Sequence, residues 1–223
     1  MPRRPRLAVG ELADHVLNRQ VGRLPVFEQP GDYAAFETIL AEAAVRTRIR
    51  LAASCLMPNH WHVLLWPRHD GELSEVLRWI TVTHTPRWHA HRKTASTGPV
   101  YQGRFTSFPV QTEEHILTVP QYVERNARRA TLVSRTEDWR WGSVWRRTQG
   151  DPDLSAWLSD WPLERPRDWV ARVNQPHTAS ELESLRLSVQ RGRPFGEEAW
   201  VGRLAQRLGM ESTVRPRGRP RGS

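Results

Sequence analysis

A chain of 223 residues is long enough to bury one core of ordinary size, with room for a small appendage. Its formal net charge of +9 is concentrated at the ends: residues 1–6 hold three arginines and no acid, residues 186–223 hold nine arginines against Glu197, Glu198 and Glu211, and residues 7–185 carry no net charge. No run of eighteen apolar residues offers a membrane span, the Arg/Pro-rich start lacks the apolar segment of a signal peptide, and the single cysteine, Cys55, excludes an internal disulfide.

Basic ends suit arms that track a phosphate backbone, and they also suit plain solvated tails. Lys93 is the only lysine, so nearly all the positive charge is arginine, whose planar fork binds phosphate and guanine edges bidentately. Cys55 lies in the apolar stretch Leu51 to Leu56 and is expected in the core, in a reducing compartment.

A weak apolar pattern at Leu12, Val16 and Leu17 predicts a first strand within residues 7–20. Residues 22–31 hold Gly22, Pro25, Pro30 and Gly31 and read as a loop. Asp32 reads as a helix start, with Phe36, Ile39, Leu40, Ala43 and Ala44 at helical spacing. Ile49, Leu51, Ala53 and Cys55 alternate as a second strand, and a tight turn at Met57 to Asn59 leads into a third at 61–66. A helix is expected from Glu72 to about Thr83, with Leu73, Val76, Leu77 and Ile80 on one face and its end broken or kinked by Pro86. A polar loop at 92–100 precedes a fourth strand over Arg104 to Gln111, and residues 113–130 read as a helix. The order β-α-β-β-α-β-α suits an α+β fold, a ferredoxin-like antiparallel sheet with helices on one face.

From Asp138 the texture changes. Trp139, Trp141, Trp145, Trp157, Trp161 and Trp169 run through a Pro- and acid-rich stretch, and residues 148–179 read as a linker that packs its tryptophans back onto the first domain. Residues 180–210 read as two amphipathic helices around the cationic turn Arg191-Gly192-Arg193-Pro194-Phe195-Gly196. They form either a plain helical hairpin or a helix-turn-helix-like DNA-binding extension. The basic tail 211–223 contains Pro216-Arg217-Gly218-Arg219-Pro220-Arg221, which matches either the core of an AT-hook or an irregular arm on phosphates.

Pro58-Asn59-His60-Trp61-His62-Val63-Leu64-Leu65-Trp66 is the most chemically loaded stretch. Side chains on a strand repeat every two residues, so His60 and His62 share a face and can share one metal ion. Trp61, Val63 and Leu65 turn the other way, toward a core. A surface or hydrogen-bonded pair is the plainer reading of the histidines. A second element raises the first: in Tyr122-Val123-Glu124-Arg125-Asn126 the tyrosine and the asparagine are four apart and share a helix face. An amide oxygen beside two imidazoles completes a hard, oxygen-tolerant cation site, and a phenol stands next to it.

Met57-Pro58-Asn59-His60-Trp61-His62-Val63-Leu64, Tyr101-Gln102-Gly103-Arg104-Phe105, Tyr122-Val123-Glu124-Arg125-Asn126 with Arg129-Ala130, and Trp139-Arg140-Trp141 together closely resemble the single-tyrosine HUH transposases. Within them the chain is most similar to the REP-associated tyrosine transposases, relatives of the IS200/IS605 transposases, over roughly residues 7–147. The resemblance implies Tyr122 as the nucleophile, and His60, His62 and Asn126 as ligands of Mg²⁺ or Mn²⁺. It implies single-strand DNA cleavage and rejoining through a 5′-phosphotyrosine, with single-stranded or hairpin DNA, including REP-like palindromes, as partner. A catalytically quiet hairpin-binding protein is the alternative. Arg104, Arg191, Arg193, Arg217, Arg219 and Arg221 are the expected DNA contacts. The expected setting is the bacterial cytoplasm and nucleoid, with no membrane partner, as monomer or homodimer. Two positions depart from the family pattern. Asn126-Ala127-Arg128-Arg129-Ala130 stands where Asn-Pro-Val-Arg-Ala is usual, and Pro120 precedes Tyr122 by two. Pro120 either kinks the helix or sets Tyr122 in its first turn; the spacing to Asn126 survives both.

Overall fold

A computed structural model describes residues 9–95, 97–112, 115–150, 157–161 and 163–215. Strand β1 (Ala13–Arg19) leads to helix α1 (Pro30–Thr47), then β2 (Arg50–Met57), β3 (His60–Trp66), α2 (Glu72–Arg92) and β4 (Thr106–Val110). The sheet order is β2-β3-β1-β4, antiparallel at every pair. This is the ferredoxin-like arrangement expected from the element order. Each helix carries the chain over one strand to the next that runs the same way, which sets α1 and α2 side by side on one face.

Local chemistry explains the boundaries. Pro30 occupies the first turn of α1, where its missing N–H costs nothing. The Asp32 carboxylate accepts the amides of Glu28 (2.8 Å) and Gln29 (3.0 Å), closing the helix start. Phe36, Ile39, Leu40 and Ala43 of α1 and Leu73, Val76, Leu77 and Ile80 of α2 meet Val16, Leu56, Trp61, Val63 and Leu65 of the sheet in one core. Pro86 does not end α2, which runs on to Arg92. The carbonyl left without a donor belongs to Val82, an exposed residue that faces water. In β2 a bulge between Leu51 and Ala53 breaks the expected alternation. Leu51 joins the α1/α2 core, whereas Ala53 and Cys55 face the opposite side.

The opposite face is covered as well. Helix α3 (Thr118–Glu124) and the single turn α4 (Asn126–Arg129) pack Val119, Tyr122, Val123 and Ala127 against Cys55, Met57, Leu64 and Phe108. The one-face placement of helices thus holds for α1 and α2 and not for the tyrosine segment. The single helix expected over 113–130 is two pieces, because Arg125 (φ −79°, ψ 0°) leaves helical geometry.

Among the described residues, further α-helices are α5 (Ser143–Thr148), α6 (Trp169–Asn174), α7 (Ala179–Arg191), α8 (Glu198–Arg207) and α9 (Glu211–Val214). The segments before and between them close both sheet edges. On β2, Leu56 N–H donates to Trp141 O (2.9 Å), Ser159 N–H donates to Leu51 O (2.9 Å), and the Trp161 indole donates to Ala52 O (2.8 Å). On β4, Gln111 N–H donates to Phe195 O (2.8 Å) and Phe195 N–H donates to Pro109 O (2.9 Å). An edge strand with open amides is a template for unwanted pairing, and this chain spends its C-terminal third covering two of them. The expected return of tryptophans onto the first domain is observed at Trp139, Trp161 and Trp169. The turn between helices α7 and α8 is docked on β4 through Phe195. Thr178 and Glu181 cap α7 reciprocally, and Gly192 ends it at φ 68°, a left-handed conformation that suits glycine. Among the described residues no helix is long and apolar enough to cross a membrane.

Candidate active site

The histidine face of β3 looks toward α3. His62 lies in the sheet interior between Leu17 of β1 and Cys55 of β2; His60, two residues earlier, pairs with Arg19 and Met57. Their rings are 4.9 Å apart and nearly perpendicular. Each Nδ1 is already engaged. His60 Nδ1 meets Asn59 Oδ1 at 2.6 Å, and Asn59 is held by donating its own amide to Arg23 O (3.2 Å). His62 Nδ1 meets His15 Nε2 at 2.9 Å. With Nδ1 engaged, Nε2 is the nitrogen each ring has left for a ligand, the usual arrangement around a metal-binding histidine.

Burial is the first cause of low basicity here. His15 is pushed down to about 3 by burial, then by Arg129 and His60. His60 is pushed down to about 3 by burial, then by Arg19 and Arg129. His62 is held well below its ordinary value by burial, by the two flanking imidazoles, and by Arg129 and Arg19. All three are neutral at pH 7, the form that ligates. Cys55 is pushed up to about 12 by burial and is the inert core thiol expected.

The Tyr122 ring packs beside this cluster. Its ring centroid is 6.1 Å from His62 and 5.9 Å from His15. Pro120 is the third residue of α3, in the first turn, where an N–H would lack an intrahelical acceptor anyway; it does not deflect the tyrosine. The break at Arg125 is bridged by Asn126, whose Nδ2 donates to Tyr122 O (2.9 Å) and Val123 O (3.1 Å). Asn126 Oδ1 thereby faces away from α3, where it accepts from the Arg129 guanidinium. That guanidinium stands 4.2 Å over the Tyr122 ring. From the C-terminal region, His177 approaches the same ring at 6.1 Å and bonds Thr118 O (3.2 Å). The structure therefore brings His60, His62, Tyr122 and Asn126 to one face of the sheet.

Sequence reasoning missed His15, Arg129 and His177. His15 has a faint signal, since Ala13, His15 and Leu17 alternate in a strand. Its partner across β1 and β3 is set by pairing register, which spacing does not reveal. The expected DNA contacts scatter. Arg104 is exposed and lines a groove of about 760 Å³ with Arg78, Asn18, Tyr101 and Phe105. Arg191 donates to the carbonyls of Ser212 (3.2 Å) and Arg215, pinning α9 to α7. Arg193 is buried, and its Nη2 donates to both carboxylate oxygens of Glu198 (2.6 and 2.7 Å) at the start of α8. Arg217, Arg219 and Arg221 lie outside the described residues.

Among the described residues no group of three histidine, cysteine or carboxylate side chains is placed to hold a metal ion. As a third donor beside the two histidines Asn126 Oδ1 fits, because it already attracts a cation.

The sequence over residues 8–126 matches the family of IS200-like transposases. The chain belongs to that family, whose class is that of DNA-processing enzymes. Among solved structures, that of a REP-associated tyrosine transposase bound to a REP hairpin aligns with a TM-score of 0.53. The alignment covers 80% of this chain and 96% of that one at 15% identity, so the likeness speaks for the fold alone. A candidate transposase from Deinococcus radiodurans R1 aligns at 19% identity over 56% of this chain and 97% of that one. Its TM-score of 0.38 is too low to bear on the fold. No curated protein sequence matches the chain.

Proposed function

We propose that the protein cleaves and rejoins single-stranded DNA through Tyr122, at hairpin-forming targets. The observation that carries this reading is the placement of the Tyr122 ring against His15 and His62, on the sheet face that also holds His60. The Tyr122 oxygen attacks the phosphorus of a phosphodiester and the P–O3′ bond breaks. The phenolic proton leaves the tyrosine, and a proton ends on the departing 3′ oxygen. The 5′-phosphotyrosine retains the ester bond energy, so a hydroxyl can later rejoin the strand without ATP.

A free phenol of pKa about 10 is only about 0.1% ionised at pH 7. The site must therefore favour charge at the phosphate. His60, His62 and Asn126 would hold Mg²⁺ or Mn²⁺, which supplies charge stabilisation there when bound. Arg129 over the phenol ring adds a fixed positive charge. Hairpin DNA is favoured as substrate because the structural neighbour was captured on a REP hairpin.

The test is to incubate the full chain, Mn²⁺ and a labelled single strand carrying a hairpin, then resolve covalent protein–DNA adducts on a denaturing gel. An adduct in the wild type that is lost in Tyr122→Phe is expected. Hairpin binding with no cleavage would favour the catalytically quiet binder. Cleavage that survives Tyr122→Phe would sink the tyrosine mechanism and point to water as nucleophile.

A further inference from the structure

We propose that Arg129 and a divalent cation are alternative occupants of one position in the tyrosine site, and that Asn126 Oδ1 is the atom for which they compete. The proposal rests on the reading of His60, His62 and Asn126 as a cation site.

Three features of Arg129 carry it. First, its terminal Nη2 donates to Asn126 Oδ1, the oxygen left to a metal. The amide cannot simply be turned over, because its Nδ2 is spent on the Tyr122 and Val123 carbonyls. Second, the guanidinium is 4.2 Å from the Tyr122 ring centroid, and its charge presses on His15, His60 and His62. A guanidinium thus already sits on one of the proposed donors, Asn126. Third, its other terminal nitrogen, Nη1, is buried and has no hydrogen-bond partner. Arg19, beside His60 across the strand pair, also buries an unpartnered Nε. Buried donors without acceptors are rare, and these two lie beside residues of the proposed cation site, Arg19 across from His60 and Arg129 on Asn126.

The physical consequence is exclusion. An amide oxygen has two lone pairs, but a guanidinium and a divalent ion bound to both would be like charges a few ångströms apart, so occupation by one disfavours the other. Entry of the ion releases Arg129 from Asn126. The freed fork, with Nη1 already open, is the chemistry that takes two oxygens of a phosphate. Arg129 then serves two states: it closes the metal-free site over Tyr122, and it faces the substrate phosphate once the ion is in place.

The experiment measures Mn²⁺ binding to the DNA-free, chelator-stripped full chain, by titration calorimetry and by loss of the free-Mn²⁺ electron paramagnetic resonance signal. The variants are Arg129→Gln, Asn126→Ala, the double variant and His60→Ala. A hydrogen bond to a charged group is strong enough that its removal should tighten Mn²⁺ by about tenfold or more in Arg129→Gln. In the Asn126→Ala background the same substitution should change affinity by less than about threefold. Equal affinity in wild type and Arg129→Gln overturns the proposal. So does a tenfold gain that persists without Asn126, which would be general charge repulsion. Binding that ignores His60→Ala overturns the cation site itself. Binding that is lost in His60→Ala but flat in Arg129→Gln leaves the cation site standing and removes only the competition. Thermal unfolding midpoints check each fold, and Arg129→Met carries the same reading should Arg129→Gln fail to fold.

Discussion

Replacing His84 with glutamine should flatten part of the acid sensitivity of this fold. His84 lies far from the tyrosine, beneath α1. Its ring is edge-on to Phe36 at 4.9 Å and nearly fully buried. The Trp61 indole donates to the Tyr101 oxygen (3.1 Å), which leaves the Tyr101 O–H to donate to His84 Nδ1 (2.8 Å). That chain needs a neutral imidazole. Burial pushes His84 down to about 4, opposed by the Asp32 carboxylate, from an ordinary value of 6.5. Because the folded value lies below the unfolded one, the unfolded chain binds more protons between pH 6.5 and 4. Stability is therefore full above pH 6.5 and is lost as pH falls toward 4. At 1.36 kcal/mol per unit the loss from this one group approaches about 3 kcal/mol, a large share of an ordinary domain's stability. Urea unfolding of wild type and His84→Gln at pH 7, 6, 5 and 4.5 isolates it, since His15, His60 and His62 titrate equally in both and cancel. Glutamine keeps an acceptor for Tyr101, so the variant should be less stable by about 1 kcal/mol at pH 7. Between pH 7 and 4.5 the difference should shift by roughly 2.5 kcal/mol, closing and then reversing to about 1.5 kcal/mol in favour of the variant. Two parallel stability curves would refute the assignment of a neutral, buried His84.

Arg146→Ala should cost about 3–5 kcal/mol in urea unfolding, because it strands Glu37 in the interior where the two now pair. Phe195→Ala should cost about 3–5 kcal/mol and, by loosening the cover on β4, raise light scattering at equal concentration. Tyr122→Phe should leave the thermal midpoint within a few degrees of wild type while abolishing the covalent adduct.

The sheet was legible because its strands are short, largely apolar runs, two of them separated by the Met57 to Asn59 turn, and because the helix between β1 and β2 shows helical spacing from Phe36 to Ala44. The bulge after Leu51 was not legible. A one-residue insertion leaves the apolar letters unchanged and shows itself only as pairing with Leu64 and Leu65. The reach of α2 past Pro86 was missed for a related reason: proline forfeits one hydrogen bond, and a helix packed by Val76, Leu77 and Ile80 can lose one on its wet side. In the site, His60, His62, Tyr122 and Asn126 could be named because each pair is local in sequence. His15 could not, since its meeting with His62 spans β1 and β3.

The basic C-terminal region shows how charge at the level of sequence differs from charge at the level of function. Nine arginines over residues 186–223 read as a phosphate-tracking arm. In the described part, Arg193 is spent on Glu198, Arg191 on two carbonyls, and the turn between them on the edge of β4. Deleting residues 211–223 is therefore a two-part perturbation. It removes the Arg215, Arg217, Arg219 and Arg221 charges and also α9, against which Arg191 rests. If the tail tracks phosphates, hairpin binding should weaken and the slope of log affinity against log salt should fall, by nearly one for each phosphate that is no longer neutralised. Replacing Arg215, Arg217, Arg219 and Arg221 with glutamine leaves α9 in place and should reproduce the same change in slope. A slope unchanged by either perturbation would assign DNA binding to the core, whose arginines include Arg19, Arg104 and Arg129.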